Sequence, residues 1–300
     1  MSGQSHTRSL GFALIAIPIL FLAIAWLQTR IDVETRTIAQ QKEELLLRSG
    51  PLLKKLSLGY DSLLADIYWT RAVQYYGGRV GNAGEKFELL WPLLDITTSL
   101  DPKLIVAYRF GAIFLSEPAP MGADRADLAV ELVKRGVAAN PDDWRLDSDL
   151  GFLYYWHLKN YPEASAAYLE ASKKKDGPVL MKMMAAEVAA KGNSFSASTA
   201  IWSEIYDTAQ DPAVKKNAFQ HLQSLQAQQD LLALDKYAED YRRRNGRYPT
   251  TTRELYESGI LSAVPLDPAG IAYIFGPDGK AQLDPNSSVI LDKPAKRSRR

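Results

Sequence analysis

The start of the chain carries an unbroken apolar run. Residues 10–27, LGFALIAIPILFLAIAWL, hold 18 positions without a charge. As a helix this run is about 27 Å long, close to the hydrocarbon thickness of a bilayer, so we expect a transmembrane helix after a short leader at residues 1–9. Arg8 before the run and the small residues Ala23 and Ala25 within it also fit a cleaved signal peptide. Both interpretations stay open at this point.

Beyond the apolar run, the pattern becomes polar and helical. Residues 29–47 contain neither Gly nor Pro, and Ser49-Gly50-Pro51 follow as a break. We therefore expect a stalk helix over residues 29–50. Ile31, Ile38 and Leu45 repeat every seven residues, but a coiled coil needs a second apolar position in each heptad, so a solvated stalk is the preferred interpretation.

Residues 51–212 alternate between helix and turn in a pattern that repeats. Small and large apolar residues recur at spacings of four and three, each set followed by a proline. The sets are Leu90, Leu94, Thr97 and Pro102; Ala129, Val133, Gly136 and Pro141; and Ala164, Tyr168, Ala171 and Pro178. Small residues let neighbouring helices approach closely, and proline ends each second helix. This pattern predicts a mostly α fold built from successive helix pairs.

The repeated pattern resembles three or four tetratricopeptide repeats (TPRs). The resemblance implies an α-solenoid of antiparallel helix pairs whose first helices line a concave protein-binding groove. Residues 77–84 and 116–124 depart from it as longer connections. By the geometry of such repeats, the residues expected to face the groove are Thr70, Gln74, Tyr108, Ala112, Phe152 and Tyr155. His157 is expected to be structural, at the end of a first helix where an imidazolium suits the carbonyl groups.

The last part of the chain changes character twice. A long capping helix is predicted over residues 213–245, with an apolar stripe that is interrupted once. The stripe runs through Val214, Ala218, Leu222 and Leu225 and resumes at Leu231, Leu234, Ala238 and Tyr241. Residues 246–284 then predict a short helix at 252–258 and a hairpin with strands near 271–275 and 281–283. The final residues, 285–300, are expected to form a disordered basic tail.

The module at residues 246–284 resembles the end of the major pseudopilins of type II secretion. The shared string is Gly246, Pro249, Leu255, Gly259, Pro265, Asp267, Pro268, Gly270 and Tyr273. This resemblance implies a possible calcium site, for which Asp267, Asp278 and Asp284 are the local candidates. Aspartates also close turns through local hydrogen bonds, which is the preferred interpretation here.

Composition narrows the chemistry. The chain has no cysteine, which excludes metal sites and nucleophiles that use a thiolate. It has three histidines and a net charge of +1, so it carries no large positive charge that would attract nucleic acid. No motif for a phosphate loop, a zinc protease or a serine nucleophile occurs. We therefore expect no enzyme, no cofactor and no obligatory metal.

Taken together, the patterns predict a bacterial membrane-anchored TPR scaffold that binds an unidentified protein partner, for assembly of an envelope or secretion complex. The alternative is a pseudopilin-like subunit, for which Gly11-Phe12 resembles a processing site although Ala16 replaces the family's glutamate. The expected location is the inner membrane, single-pass, with the C-terminal domain in the periplasm. The counts of Arg and Lys beside the apolar run favour the reverse orientation, but long domains translocate largely regardless of charge.

Overall fold

The computed structural model describes residues 20, 24, 26–28 and 49–292. The predicted transmembrane helix at 10–27 and stalk helix at 29–50 therefore lie almost entirely outside the described residues, as does the tail at 293–300. Among the positions that are described, no helix combines the length and the apolarity needed to cross a bilayer.

Helices form most of the described chain from Ser49 onward, as the periodicity predicts. In order they are α1 (Gly50–Leu56), α2 (Asp61–Gly77), α3 (Leu90–Leu100), α4 (Ile105–Ser116), α5 (Ala126–Ala139), α6 (Trp144–Phe152), α7 (Tyr161–Lys173), α8 (Val179–Lys191), α9 (Phe195–Thr208), α10 (Pro212–Asn245) and α11 (Thr252–Glu257). A π-helical turn, Leu153–His157, continues α6. Strands β1 (Ile274–Phe275) and β2 (Ala281–Gln282) follow α11 and pair antiparallel.

Each helix from α2 to α10 packs mainly on its neighbours along the chain. We call α2, α4, α6 and α8 the first helices, and α3, α5, α7 and α9 the second helices. Short connections between packed helices make neighbours run antiparallel. The first helices α4 and α6 also contact each other, so two first helices lie side by side.

Glycines on one helix contact tyrosine rings of a neighbouring helix. A Cβ added to Gly136 in α5 would lie 2.8 Å from Cγ of Tyr108 in α4, and one on Gly151 in α6 would lie 2.9 Å from the Tyr168 ring in α7. Both tyrosines are buried. At these two contacts, small residues let neighbouring helices approach closely, as the sequence pattern predicts.

The predicted boundaries coincide with capping interactions. The helices α3 and α5 end just before Asp101-Pro102 and Asn140-Pro141, and Asn140 Nδ2 donates a hydrogen bond to the Pro102 carbonyl oxygen (2.9 Å). Asp211 Oδ1 accepts from the Ala213 backbone N–H (2.8 Å) at the start of α10. Ser49 was expected to end the stalk, but its hydroxyl caps α1 by accepting from Leu52 N–H (3.4 Å). A helix therefore begins at this break, and the predicted stalk before it lies outside the described residues.

The two long connections lie against each other. Gly81 N–H donates to the Pro120 carbonyl oxygen (2.9 Å), and the Tyr76 hydroxyl donates to the Met121 carbonyl oxygen (2.7 Å). The residues that lengthen these two connections therefore lie together along one edge of the helix pairs.

The long helix α10 supports the C-terminal module. It ends at Gly246, whose φ of +73° closes the helix in the left-handed region. The hairpin is present, with Ile274 opposite Gln282, although β1 is shorter than the sequence pattern predicts. Tyr273 is buried and donates a hydrogen bond from its hydroxyl to Asp230 Oδ2 of α10 (2.8 Å). The module is thus held on the second half of α10.

Candidate functional site

Apolar side chains are exposed along one face of the first helices. In α2 the exposed positions Leu63, Ile67, Thr70 and Gln74 are spaced by four, three and four, which places them on one stripe opposite the buried Ala65, Ala72 and Tyr75. In α4 the exposed stripe contains Phe110 and Ile113, and α6 with its π turn exposes Phe152 and Trp156. We call this surface the first-helix face, defined by Ile67, Thr70, Gln74, Phe110, Ile113, Phe152 and Trp156.

Contacts between side chains join the three stripes. Phe114 of α4 stacks on Trp69 of α2, with ring centroids 6.1 Å apart and an interplanar angle of 6°. Arg109 of α4 donates from Nε to Asp149 Oδ2 of α6 at 2.6 Å, and from Nη2 to Oδ1 at 3.3 Å. The stripes therefore belong to helices that are held together by side-chain contacts.

The Arg109–Asp149 pair lies within this surface and is partly shielded from water. Burial raises the pKa of Asp149, although its hydrogen bond with Arg109 acts in the opposite direction. The same hydrogen bond raises the pKa of Arg109. The guanidinium thus remains charged, and the pair orients α4 and α6 relative to each other.

The π turn sets the position of the aromatic cluster. Leu158 N–H donates to the Leu153 carbonyl oxygen (3.2 Å), five residues back, so the turn holds one more residue than an α-helical turn. The rings of Phe152 and Trp156 lie nearly parallel, with centroids 6.3 Å apart and an angle of 8°. Both side chains are about half exposed, at 45% and 56%. The turn therefore presents two stacked rings to solvent.

Two lysines lie over aromatic rings beside this cluster. Lys159 Nζ is 4.8 Å from the ring centroid of Trp156, and Lys191 Nζ is 4.6 Å from that of Tyr155. Lys191 also donates a hydrogen bond to the Tyr155 hydroxyl. A cation over a ring face is attracted by the quadrupole of the ring, so each lysine helps to hold its ring in place.

His157 is half-buried next to the exposed rings, and its environment differs from the expected one. Burial lowers the pKa of His157, so the neutral imidazole is favoured over the imidazolium expected at a carbonyl end. Its Nε2 is buried and has no hydrogen-bond partner. Its ring meets Phe152 edge-on, with centroids 5.9 Å apart. The ring packs as an aromatic side chain, which fits the expected structural role, and burial disfavours the charged form that a cap would use.

The structure divides the predicted groove residues. Thr70, Gln74 and Phe152 are exposed on the first-helix face, and Tyr155 is half-buried at its edge. Tyr108 and Ala112 are each only 2% exposed, so assigning them to an accessible surface was wrong. The reason is the Gly136 contact, which draws Tyr108 and the residue one turn later into the interface between α4 and α5.

Sequence reasoning missed Phe110 and Ile113. The signal was available, because Val106, Phe110 and Ile113 are spaced by four and three on the side of α4 opposite Tyr108. In an almost wholly apolar helix, however, two stripes with the same period compete for the core. The position of Gly111 decides the outcome, because a Cβ there would lie 2.8 Å from Leu94 Cδ2.

The three C-terminal aspartates each close a separate turn. Asp267 Oδ1 accepts from the backbone N–H groups of Ala269 (2.8 Å) and Ile271 (2.9 Å). Asp278 and Asp284 accept in the same way from the residues two positions later. Within the described ranges, no three His, Asp or Glu side chains converge as metal ligands would. The carboxylates do not fit one calcium site, and no metal-dependent step is derived.

The described chain is thus a mostly helical protein of successive packed helix pairs with a small C-terminal hairpin module. No protein-family model matches the chain, and no curated protein matches it in sequence.

Proposed function

We propose that this protein is a membrane-anchored helical-repeat scaffold that binds a protein partner through the first-helix face. The observation that supports the proposal is the set of exposed apolar side chains on three neighbouring first helices, namely Ile67, Phe110, Ile113, Phe152 and Trp156. Large contiguous apolar surface is uncommon on monomeric soluble domains and marks interaction sites. Stacked pairs of helices are suited to present such a surface.

The chemistry of the face indicates the kind of partner segment. Apolar side chains form its centre, while the polar Thr70 and Gln74 lie at the α2 end and Lys159 and Lys191 lie at the other. An amphipathic protein segment would place its apolar side on the aromatic rings and its polar side towards this rim. The rings are fixed by helices and a π turn, so little side-chain entropy is lost on binding. The proposal assigns no chemical step and no cofactor to the chain.

Photo-crosslinking in cells tests the surface directly. A photoreactive phenylalanine analogue is introduced at Phe110 or Phe152, and at Phe219 of α10 as a control of similar exposure (50% and 47% for positions 110 and 219). We expect a discrete protein adduct from positions 110 and 152 and none from position 219. Phe110→Ala with Phe152→Ala should weaken recovery of the same protein by at least about tenfold, because two aromatic anchors are lost. Equal crosslinking from all three positions contradicts the assignment.

Membrane anchoring is the second half of the proposal and rests on the apolar run at residues 10–27. An uncharged run of this length matches the bilayer, and a short leader before a long domain is the arrangement of a signal anchor. We propose that the domain lies in the periplasm. Alkaline phosphatase fused after Arg300 should be active in intact cells. An inactive fusion, with an active cytoplasmic reporter at the same position, would place the domain in the cytoplasm.

The alternative function, a pseudopilin-like subunit, is favoured by the C-terminal module. The motif residues Leu255 and Tyr273 are both buried in one small core on α10. The two functions differ at the N-terminus, because a prepilin-type subunit is cut after Gly11. Mass analysis of the membrane-bound protein distinguishes them: a chain that begins at Phe12 supports the alternative, and a chain that retains residues 1–9 supports the scaffold.

A further inference from the structure

The N-terminal edge of the described domain exposes apolar side chains outside the first-helix face. Leu52 and Leu56 lie on the open side of α1, Leu58 lies in the turn after it, and Tyr60 precedes α2. Leu56, Leu58 and Tyr60 are 58%, 87% and 67% exposed. We call these four residues the N-terminal apolar edge.

The turn that carries Leu58 is well defined by hydrogen bonds. The buried Ser57 donates from its hydroxyl to the Lys54 carbonyl oxygen (2.7 Å), and Tyr60 N–H donates to the Ser57 carbonyl oxygen (2.9 Å). Leu58 has a φ of +52°, and Gly59 follows at +90°. A leucine in the left-handed region is unfavourable compared with Gly or Asn. The turn thus holds Leu58 in an unfavourable backbone conformation and also exposes its apolar side chain to water.

Two other connections between helices, those after α3 and α5, begin with polar residues. The connection between α3 and α4 begins with Asp101-Pro102, and that between α5 and α6 with Asn140-Pro141 followed by two aspartates. The connection between α1 and α2 instead reads Ser57 to Tyr60, SLGY. The apolar edge is therefore a local feature and not a general property of these turns.

We propose that the N-terminal apolar edge inserts into the interfacial region of the lipid bilayer in which the chain is anchored. This inference rests on the proposed membrane anchor. Leucine and tyrosine side chains beside a lysine are the composition of interfacial segments, and the exposed Lys55 complements anionic headgroups, whereas Lys54 donates to the Ser99 carbonyl oxygen (3.4 Å). Residues 49–60 contain no acidic side chain, and the nearest one after them, Asp61, contacts the Ser57 hydroxyl.

The position of the edge along the chain favours lipid over other occupants. Only residues 28–51 separate it from the apolar run, which is about 36 Å of helix or at most roughly 86 Å of extended chain. The anchor makes the contact intramolecular, so a weak interfacial affinity is sufficient. Four side chains are too few for the roughly 800 Å² that each partner of a stable dimer buries.

A fluorescent probe on a single cysteine tests the insertion. The chain has no cysteine, so Leu58→Cys labels one site, and Asp142→Cys provides a matched exposed position in another inter-helix turn. Each full-length protein is labelled with an environment-sensitive fluorophore and reconstituted into vesicles of phosphatidylethanolamine and phosphatidylglycerol that contain nitroxide-labelled lipid. Circular dichroism verifies that both variants are folded. Flotation of the vesicles reports separately whether the protein is anchored.

We expect nitroxide quenching at position 58 to exceed that at position 142 by at least about twofold, because interfacial side chains lie within roughly 5–10 Å of the acyl boundary. Lys55→Gln should reduce this difference. A protein that floats with the vesicles but is unquenched at position 58 overturns the insertion and leaves the anchor intact. A blue-shifted but unquenched probe also overturns it, since protein then covers the edge. A protein that does not float overturns both proposals.

Discussion

At the scale of single residues, glycine determines which side chains reach the core. Gly136 leaves space for the ring of Tyr108, and Gly151 leaves space for the ring of Tyr168. The Tyr168 ring is so enclosed that burial raises the pKa of its hydroxyl to about 12. These contacts fix the separation between consecutive helices, because neither ring can move without opening a cavity.

Gly136→Ala should destabilise the protein. The added methyl group meets the Tyr108 ring at 2.8 Å, so a net loss of about 1–2 kcal/mol in the free energy of unfolding is expected after the gain in helix propensity. Gly77→Ala is the control, because a Cβ there has no heavy atom within 4 Å. That variant should equal or slightly exceed the wild type in urea denaturation. Equal stability of the two variants would show that the ring contact is loose.

Some residues of the candidate site could be predicted from the sequence and others could not, because burial depends on contacts between helices. Thr70 and Gln74 are exposed, as a groove position requires, because both are polar residues on the side of α2 opposite its small buried residues. Tyr108 was misplaced because α4 is apolar on both sides, and the period does not specify which stripe is buried. The ring finds its place through Gly136, which is 28 positions further along the chain, and periodicity within one helix carries no information about that contact.

At the scale of elements, the chain end is fastened to α10 through a histidine. His221 stacks on the buried Trp202, with centroids 4.1 Å apart at 7°. Its Nδ1 is 3.0 Å from Asp292 Oδ2, and Asp292 N–H donates to the Ser224 hydroxyl (2.8 Å). The hydrogen bond with Asp292 raises the pKa of His221, and Glu187 adds to this effect. The segment expected to be a disordered tail is thus attached at least as far as Asp292.

Asp292→Asn should reduce stability in a pH-dependent way. A raised pKa means that the folded state binds the proton more tightly, so the contribution is complete below the unfolded pKa of about 6.5 and is lost as the pH rises through the raised folded value. Because Asp292 is half-exposed, the loss should stay below about 1 kcal/mol. Urea denaturation at about pH 5.5 and about pH 9 measures it. A pH-independent difference would mean that the His221 charge does not contribute.

Helix ends were easier to predict than the conformation inside them. Proline and glycine positions gave the bounds of α10 almost to the residue, since Asp211-Pro212 starts it and Gly246 ends it. The π turn at Leu153–His157 was not foreseen. A π turn differs from an α-helical turn by one residue and uses the same residue types. The aromatic sequence at this position therefore does not indicate it.

At the scale of the whole described domain, α10 belongs to two hydrophobic clusters. Ala218 and Leu225 pack with α8 and α9, while Leu234, Ala238 and Tyr241 pack with the C-terminal module. The sequence anticipated this division, because the apolar stripe of the helix stops after Leu225 and resumes at Leu231. The pattern did not predict which helices or strands each half of α10 contacts, because those contacts join residues far apart in the sequence.

Leu255→Ala should loosen the C-terminal cluster selectively. Leu255 is fully buried, so its truncation is expected to cost about 2–4 kcal/mol. Hydrogen exchange should then accelerate in residues 231–283 more than in residues 144–225. Leu225→Ala is the counterpart in the other cluster and should reverse the order. Uniform acceleration by both variants would mean that the two clusters unfold as one.

The shared helix has a mechanical consequence. At 34 residues, α10 is a rod about 51 Å long that runs from the helix pairs to the hairpin without an intervening hinge. A force applied to the hairpin would be transmitted through the backbone hydrogen bonds of α10. It would act on the cluster that contains Trp202 and Ala218, because no flexible linker lies between the two clusters. A single stiff helix of this kind suits a protein in which the helix pairs and the hairpin must stay at a fixed separation under force.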